Sequence, residues 1–107
     1  MSKSAKKEIA EGEKIIEEIK AYINECGGGY PDWYVGITSD SDQRLFVDHN
    51  VKKKGGAWIL FKTSSSIIAR EVEKYFIDQK TKGGSGGGND DSDIVYVYKI
   101  MPYTKQQ

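Results

Sequence analysis

The polar side chains of this sequence that could support catalysis are spread along the chain and do not form a short contiguous motif. They are a phenol, a guanidinium, an imidazole, a carboxylate and an amide, which belong to Tyr34, Arg44, His49, Glu73 and Asn89. The chain has one histidine and one cysteine, which excludes a Cys/His zinc site. No Gly-x-Ser-x-Gly sequence provides a hydrolase nucleophile, and the chain is too small for a dinucleotide-binding domain. The chemistry left open to it is therefore that of hydroxyl, guanidinium and carboxylate groups.

Alternating helices and strands must position these residues. Helical spacing of apolar residues and Ser or Asp caps predict three helices, at 5–25, 42–49 and 65–80. Runs of aromatic and β-branched residues predict three strands, at 32–38, 57–62 and 93–100. A glycine-rich loop separates the last helix from the last strand. This order predicts an α/β (α+β) fold in which helices flank a small sheet of three or more strands.

The size and composition of the chain predict one compact domain. The 107 residues are 37% hydrophobic, enough for one modest core. We expect an extra amphipathic helix with a glycine turn at 1–29 and the main domain at 30–103. One cysteine, no signal peptide and no apolar run of ~18–20 residues favour a cytoplasmic protein without a membrane segment.

Two segments of the sequence resemble the GIY-YIG nuclease superfamily. Segment 33–50 carries Tyr34 and Gly36 on a strand, then Arg44 and His49 on the following helix. That family has Tyr-Ile/Val-Gly, then an arginine on the next helix, then a histidine. Segment 64–77 is similar to a later helix of the family, in which Ala-x-x-x-Glu supplies a metal-binding glutamate, here Glu73. Asn89 falls near the position of the family's final asparagine. With this residue included, the resemblance covers residues 30–91.

The resemblance implies hydrolysis of phosphodiester bonds in DNA with one divalent ion, Mg²⁺ or Mn²⁺. This reaction needs an activated water, neutralised charge on the phosphate and help for the leaving oxygen. By resemblance, Tyr34 would position or activate the water, and Arg44 would donate bidentate hydrogen bonds to the phosphate. Glu73 would hold the ion, because a hard cation prefers carboxylate oxygen. His49 would orient the tyrosine or a phosphate oxygen.

The sequence departs from the family pattern at two places. The opening strand with its first tyrosine should precede Tyr34 by about ten residues, where this chain has a helix and three glycines. The last strand resembles the missing one, so we hypothesise a circular permutation in which Tyr98 or Tyr96 takes that tyrosine's role. Secondly, His49 follows Arg44 by five residues, one more than the family has. On a regular α-helix this extra residue turns His49 by ~100° from the expected face.

The charges of the chain sum to zero but are unevenly distributed. The 16 basic side chains balance the 16 acidic ones, yet residues 49–82 carry eight basic side chains against three acidic ones. Lys52, Lys53 and Lys54 form a basic turn that we expect to attract a phosphate backbone. With Gly36 and Asn89 they complete the predicted substrate-binding residues.

Two functions from different classes follow from these observations. The first is a divalent-metal-dependent DNA endonuclease. The alternative is a catalytically degenerate module of the same type, which binds nucleic acid or a protein partner through its sheet. A chain of this length leaves little room for a separate recognition domain, so specificity would need a protein partner or a homodimer.

Overall fold

The fold was analysed in a computed structural model that describes residues 3–84 and 91–106, with side chains from residue 9 onward. Its elements are α1 (Lys3–Cys26), a 3₁₀ turn (Tyr30–Asp32), β1 (Trp33–Thr38), a π-helix (Gln43–Asp48), β2 (Trp58–Lys62), α2 (Ser66–Asp78) and β3 (Ile94–Lys99). The predicted α+β class is confirmed. The predicted short helix at 42–49 differs in kind, because it has π and not α geometry.

The three strands form one antiparallel sheet in the order β1–β3–β2. The strand that comes last in the chain is therefore the central one, and it pairs with both of its neighbours. Tyr34 lies opposite Tyr98, and Gly36 lies opposite Tyr96. The outer edge of β1 is also paired, since Lys82 exchanges backbone hydrogen bonds with Trp33 and Val35 at 2.8 and 2.9 Å.

Both long helices cover one face of the sheet. Ile15, Ile19 and Ile23 recur at every fourth position of α1 and are buried against the strands. Gly27 and Gly28 end this helix with φ near +90°, a conformation that glycine adopts without strain. The Ser65 hydroxyl caps α2 by accepting a hydrogen bond from the backbone N–H of Ile68.

The alternation of side chains along β1 and β3 separates two cores. Trp33, Val35 and Ile37 point toward the helices together with Val95 and Val97. The opposite face carries the tyrosines, which pack with residues of the π-helix and of the loop after it. The tyrosine side chains thereby lie on the sheet face without long helices. Within the described residues, no helix is long and apolar enough to cross a membrane.

Candidate functional site

Three tyrosines stack on the polar face of the sheet. The rings of Tyr34 and Tyr98 lie 5.1 Å apart and nearly parallel, and Tyr34 and Tyr96 are 6.1 Å apart. A Cβ at Gly36 would lie 2.4 Å from the Cζ and hydroxyl oxygen of Tyr96. The absence of a side chain at Gly36 therefore creates the space for the Tyr96 ring. Burial raises the pKa of all three phenols, which favours their protonated form.

The π-helix brings His49 to the same face as Arg44. The backbone N–H of His49 donates to the carbonyl of Arg44 at 2.9 Å, an i to i+5 bond in place of the α-helical i+4. The expectation that α-helical geometry turns His49 away is wrong for this reason. The wider turn absorbs the extra residue, so that a five-residue spacing places both side chains beside the tyrosines.

His49 is fully buried and makes hydrogen bonds through both ring nitrogens. Its Nε2 lies 2.9 Å from the Tyr96 hydroxyl, and its Nδ1 lies 3.0 Å from the Tyr98 hydroxyl and 2.5 Å from the carbonyl oxygen of Lys105. Burial lowers the pKa of His49, and the charge of Arg44 lowers it further, while the Lys105 carbonyl and Asp48 oppose them. The imidazole is therefore neutral at physiological pH.

Arg44 lies at the border between the buried tyrosines and solvent. About a third of its side chain is exposed, and its Nη1 donates to Asp48 at 3.0 Å. This ion pair lowers the pKa of Asp48. The guanidinium also lies near the hydroxyls of Tyr34 and Tyr96, where its charge counteracts part of the rise in their pKa. The arginine can thus present donors to an anion at the opening of the tyrosine cluster.

Glu73 lies on α2 and is only 7% exposed. Burial raises its pKa to about 7, opposed by the charge of Arg70. Its carboxylate in turn raises the pKa of Tyr34. Among the described residues it forms no salt bridge, and its oxygens are not among the fully buried side-chain atoms without a partner. The charge of a largely buried carboxylate is costly unless a proton or a cation accompanies it.

The chemistry of Glu73 fits a hard divalent cation held by few protein ligands. Within the ranges that the structure describes, no three histidine, cysteine, aspartate or glutamate side chains group as a metal cage. A cage is not needed for Mg²⁺, which commonly binds one or two carboxylates and takes water and substrate phosphate as its other ligands.

The basic turn lies next to the site but is separate from it. Lys52 places its Nζ 4.4 Å from the ring centre of Tyr103, and Lys53 lies 5.5 Å from that of Phe46. Trp58 donates its indole N–H to the Lys53 carbonyl at 3.1 Å. In the described part of the chain, Lys52, Lys53 and Lys54 form no ion pair. Their charges are therefore available to a polyanion.

The predicted site residues thus fall into three groups. Those brought together on the polar face are Tyr34, Gly36, Arg44, His49 and Tyr98, whereas Glu73 lies on α2 and is linked to this group by its charge on Tyr34. The three lysines lie at the adjoining turn, and Asn89 lies outside the described residues. Sequence reasoning missed the Lys105 carbonyl, for which a sequence holds no signal because the group is backbone. It also missed Asp48, although its i,i+4 spacing from Arg44 predicts an ion pair.

An apolar groove of about 490 Å³ lies elsewhere, between α1 and α2. Its charged lining consists of Glu13, Glu71 and Asp78 with a single lysine, Lys74. This charge is unfavourable for a phosphate ligand. The tyrosine face therefore remains the candidate site. Comparisons with protein-family models, with curated proteins and with solved structures find no match to this chain.

Proposed function

We propose that this protein is a divalent-metal-dependent endonuclease that hydrolyses phosphodiester bonds of DNA, with a site of GIY-YIG type. The observation that carries the proposal is the influence of two opposite charges on the pKa of Tyr34. The charge of Arg44 from the π-helix lowers the pKa of Tyr34, and the charge of Glu73 from α2 raises it. Three separate elements thereby contribute a phenol, a fixed cation and an anion that we propose as the metal ligand.

Arg44 is suited to bind the scissile phosphate. A guanidinium presents parallel N–H donors that match two phosphate oxygens, and the partial exposure of Arg44 leaves it accessible. Asp48 keeps the side chain oriented through one of its nitrogens. In this arrangement the positive charge is in position before substrate arrives, which reduces the reorganisation needed in the transition state.

Glu73 would hold the Mg²⁺ or Mn²⁺ ion. When bound, such an ion neutralises charge on the phosphate and on the leaving oxygen. The residues of this chain have a complementary task. Tyr34 orients the attacking water through its hydroxyl, since burial keeps that phenol protonated and able to donate a hydrogen bond.

DNA is favoured as the substrate by charge, and the strand order supports the permuted arrangement. The lysines of the 52–54 turn are free of ion pairs within the described residues and lie beside the site. A DNA duplex that contacts these lysines is large enough to extend to Arg44 as well. The central position of β3 places Tyr96 and Tyr98 beside Tyr34, as the permutation hypothesis requires.

Nicking of supercoiled plasmid in Mg²⁺ tests the proposal. We expect Glu73→Gln and Arg44→Ala each to slow nicking by about 10²–10³-fold, the range for losing one strong electrostatic contact in a transition state. Glu71→Gln is the matched control, because Glu71 lies two residues away on the same helix and outside the site. A wild-type rate no greater than that of Glu73→Gln would refute catalysis.

A catalytically inactive nucleic-acid-binding module is the second candidate. It is favoured by the burial of Tyr34, which is 3% exposed, while the basic turn is exposed. Fluorescence anisotropy with a labelled duplex separates the two candidates. Binding that depends on the three lysines, without nicking by the wild type, would identify the module.

A further inference from the structure

The two ring nitrogens of His49 face chemically different partners. Nδ1 lies 2.5 Å from the backbone carbonyl oxygen of Lys105, and a carbonyl oxygen can only accept a hydrogen bond. Nδ1 must therefore carry a proton. The groups facing the ring are Arg44, Asp48, the three tyrosines and this carbonyl. Burial and the charge of Arg44 disfavour a charged imidazole, so the ring carries only this one proton. Nε2 is therefore unprotonated and can accept a hydrogen bond.

This assignment makes Tyr96 and Tyr98 inequivalent. The Tyr96 hydroxyl, 2.9 Å from Nε2, must donate to that basic nitrogen. The Tyr98 hydroxyl, 3.0 Å from Nδ1, can only accept from it, and it donates its own proton to Lys105 or Gln106 of the C-terminal segment at 3.2–3.3 Å. One tyrosine is thus paired with a base and the other is not.

The C-terminal segment, residues 101–106, is held against His49 by several bonds. The backbone N–H of Lys105 donates to the His49 carbonyl at 2.8 Å, so the two residues are joined through both backbone and ring. Asn50 donates to the Tyr103 carbonyl at 2.9 Å. The Thr104 hydroxyl accepts from the N–H of Met101 at 3.0 Å and so fixes the turn that precedes Lys105. These contacts set the Lys105 carbonyl in place.

We propose that the C-terminal segment is a positioning part of the site. Through its backbone carbonyl, Lys105 fixes His49 in the Nδ1–H tautomer and so makes Tyr96, not Tyr98, the tyrosine that hydrogen-bonds to a basic nitrogen. The consequence for catalysis rests on the proposed nuclease function, whereas the tautomer does not. In free histidine in water, both tautomers are populated, so an unsupported ring would lack this selection.

The tautomer can be measured directly, because His49 is the single histidine of the chain. Long-range ¹H–¹⁵N correlation spectra at about pH 8, above the ordinary histidine pKa, report which ring nitrogen carries the proton. We expect a protonated Nδ1 and an unprotonated Nε2. An Nε2–H ring, or fast exchange between tautomers, would overturn the proposal even if the protein cleaves DNA.

Two full-length variants test the inequivalence of the tyrosines in the same spectra. Tyr96→Phe removes the donor to Nε2 and should move the Nε2 resonance toward that of an imidazole nitrogen without a partner. Tyr98→Phe should leave the Nε2 resonance in place. The reverse pattern, or equal shifts, would refute the assignment. Because neither readout needs catalysis, an inactive wild type would contradict only the proposed function.

Removal of the segment tests its positioning role. A chain that stops after Tyr103 loses Lys105, whereas a chain that stops after Gln106 retains it and is the matched control. We expect the shorter chain to show mixed tautomers and to nick plasmid about 100-fold more slowly, the lower range for losing a positioned proton acceptor. An unchanged tautomer in a folded shorter chain would overturn the role of Lys105. If the shorter chain does not fold, the spectra of the full-length variants decide.

Discussion

Replacement of Glu73 by glutamine should stabilise the protein while removing its activity. The native carboxyl retains its proton up to about pH 7, because burial disfavours its charged form, whereas its ordinary pKa is 4.5. Glutamine has the same shape and remains neutral at every pH. The variant therefore removes the cost of a buried charge without creating a cavity.

The sign and size of the effect follow from proton linkage. Between pH 4.5 and about 7 the native state binds more protons than the unfolded state, so the free energy of unfolding falls as pH rises through this window. At about 1.36 kcal/mol for each tenfold change in acidity, the full loss is about 3 kcal/mol. Contact with solvent and the amide's own need for hydrogen-bond partners reduce this effect. We therefore expect Glu73→Gln to raise the free energy of unfolding by about 1–3 kcal/mol at pH 8.

Urea denaturation at about pH 4.5 and pH 8 measures this effect, with midpoints converted through a common m-value. Wild type and Glu73→Gln should agree at the lower pH and separate at the higher one. Glu71→Gln should follow the wild type within about 0.5 kcal/mol at both pH values, as an exposed substitution does. A Glu73→Gln protein that is less stable than wild type at pH 8 would refute the reasoning. Mg²⁺ should raise wild-type stability there and leave the variant unchanged.

Three further predictions concern the packing and charge around the site. Gly36→Ala should lower the free energy of unfolding by about 1–3 kcal/mol and slow nicking, because its methyl group would displace the Tyr96 hydroxyl; urea denaturation and the plasmid assay measure both effects. Replacing all three lysines at 52–54 by serine should reduce the slope of log affinity against log salt by about 2–3, read by anisotropy with a DNA duplex. Thr81→Val should change stability by less than about 1 kcal/mol or raise it, since the Thr81 hydroxyl is the one buried polar side-chain atom without a partner in the described residues; a thermal melt checks this.

Each of these predictions has an outcome that contradicts it. Wild-type stability in Gly36→Ala would mean that Tyr96 has room to move. An unchanged salt slope in the triple lysine variant would place the DNA elsewhere on the surface. If Thr81→Val lowers the free energy of unfolding by more than about 2 kcal/mol, the Thr81 hydroxyl has a hydrogen-bond partner, because a drop of this size is expected when a buried hydrogen bond is lost.

The helices and strands could be predicted from the sequence because each has a local cause. Helical spacing of isoleucines and flanking glycines predicted α1 within two residues at either end. The serine cap placed the start of α2 within one residue. Strand positions followed from β-branched and aromatic runs, and their ends were also within one residue. Local propensity and burial agree in these elements.

The geometry of the site could be predicted only in part, because tertiary contacts decide it. Tyr34, Arg44 and Glu73 were selected by residue type and spacing, and in the fold the charges of Arg44 and Glu73 both influence Tyr34. The π winding before His49 was not predictable, because the bonds between His49, the tyrosines and Lys105 come from residues about fifty positions away. A local pattern of apolar residues does not distinguish a π-helix from an α-helix.

The central place of β3 has a consequence for how the chain folds during its synthesis. β1 and β2 share no ladder, and each pairs only with β3, which follows β1 by about sixty residues. Both strands leave the ribosome before the strand that joins them, so the sheet cannot assemble progressively as the nascent chain emerges. Such non-local pairing folds slowly and leaves strand edges exposed for longer. The order of the strands therefore makes completion of β3 the step that commits this protein to its fold.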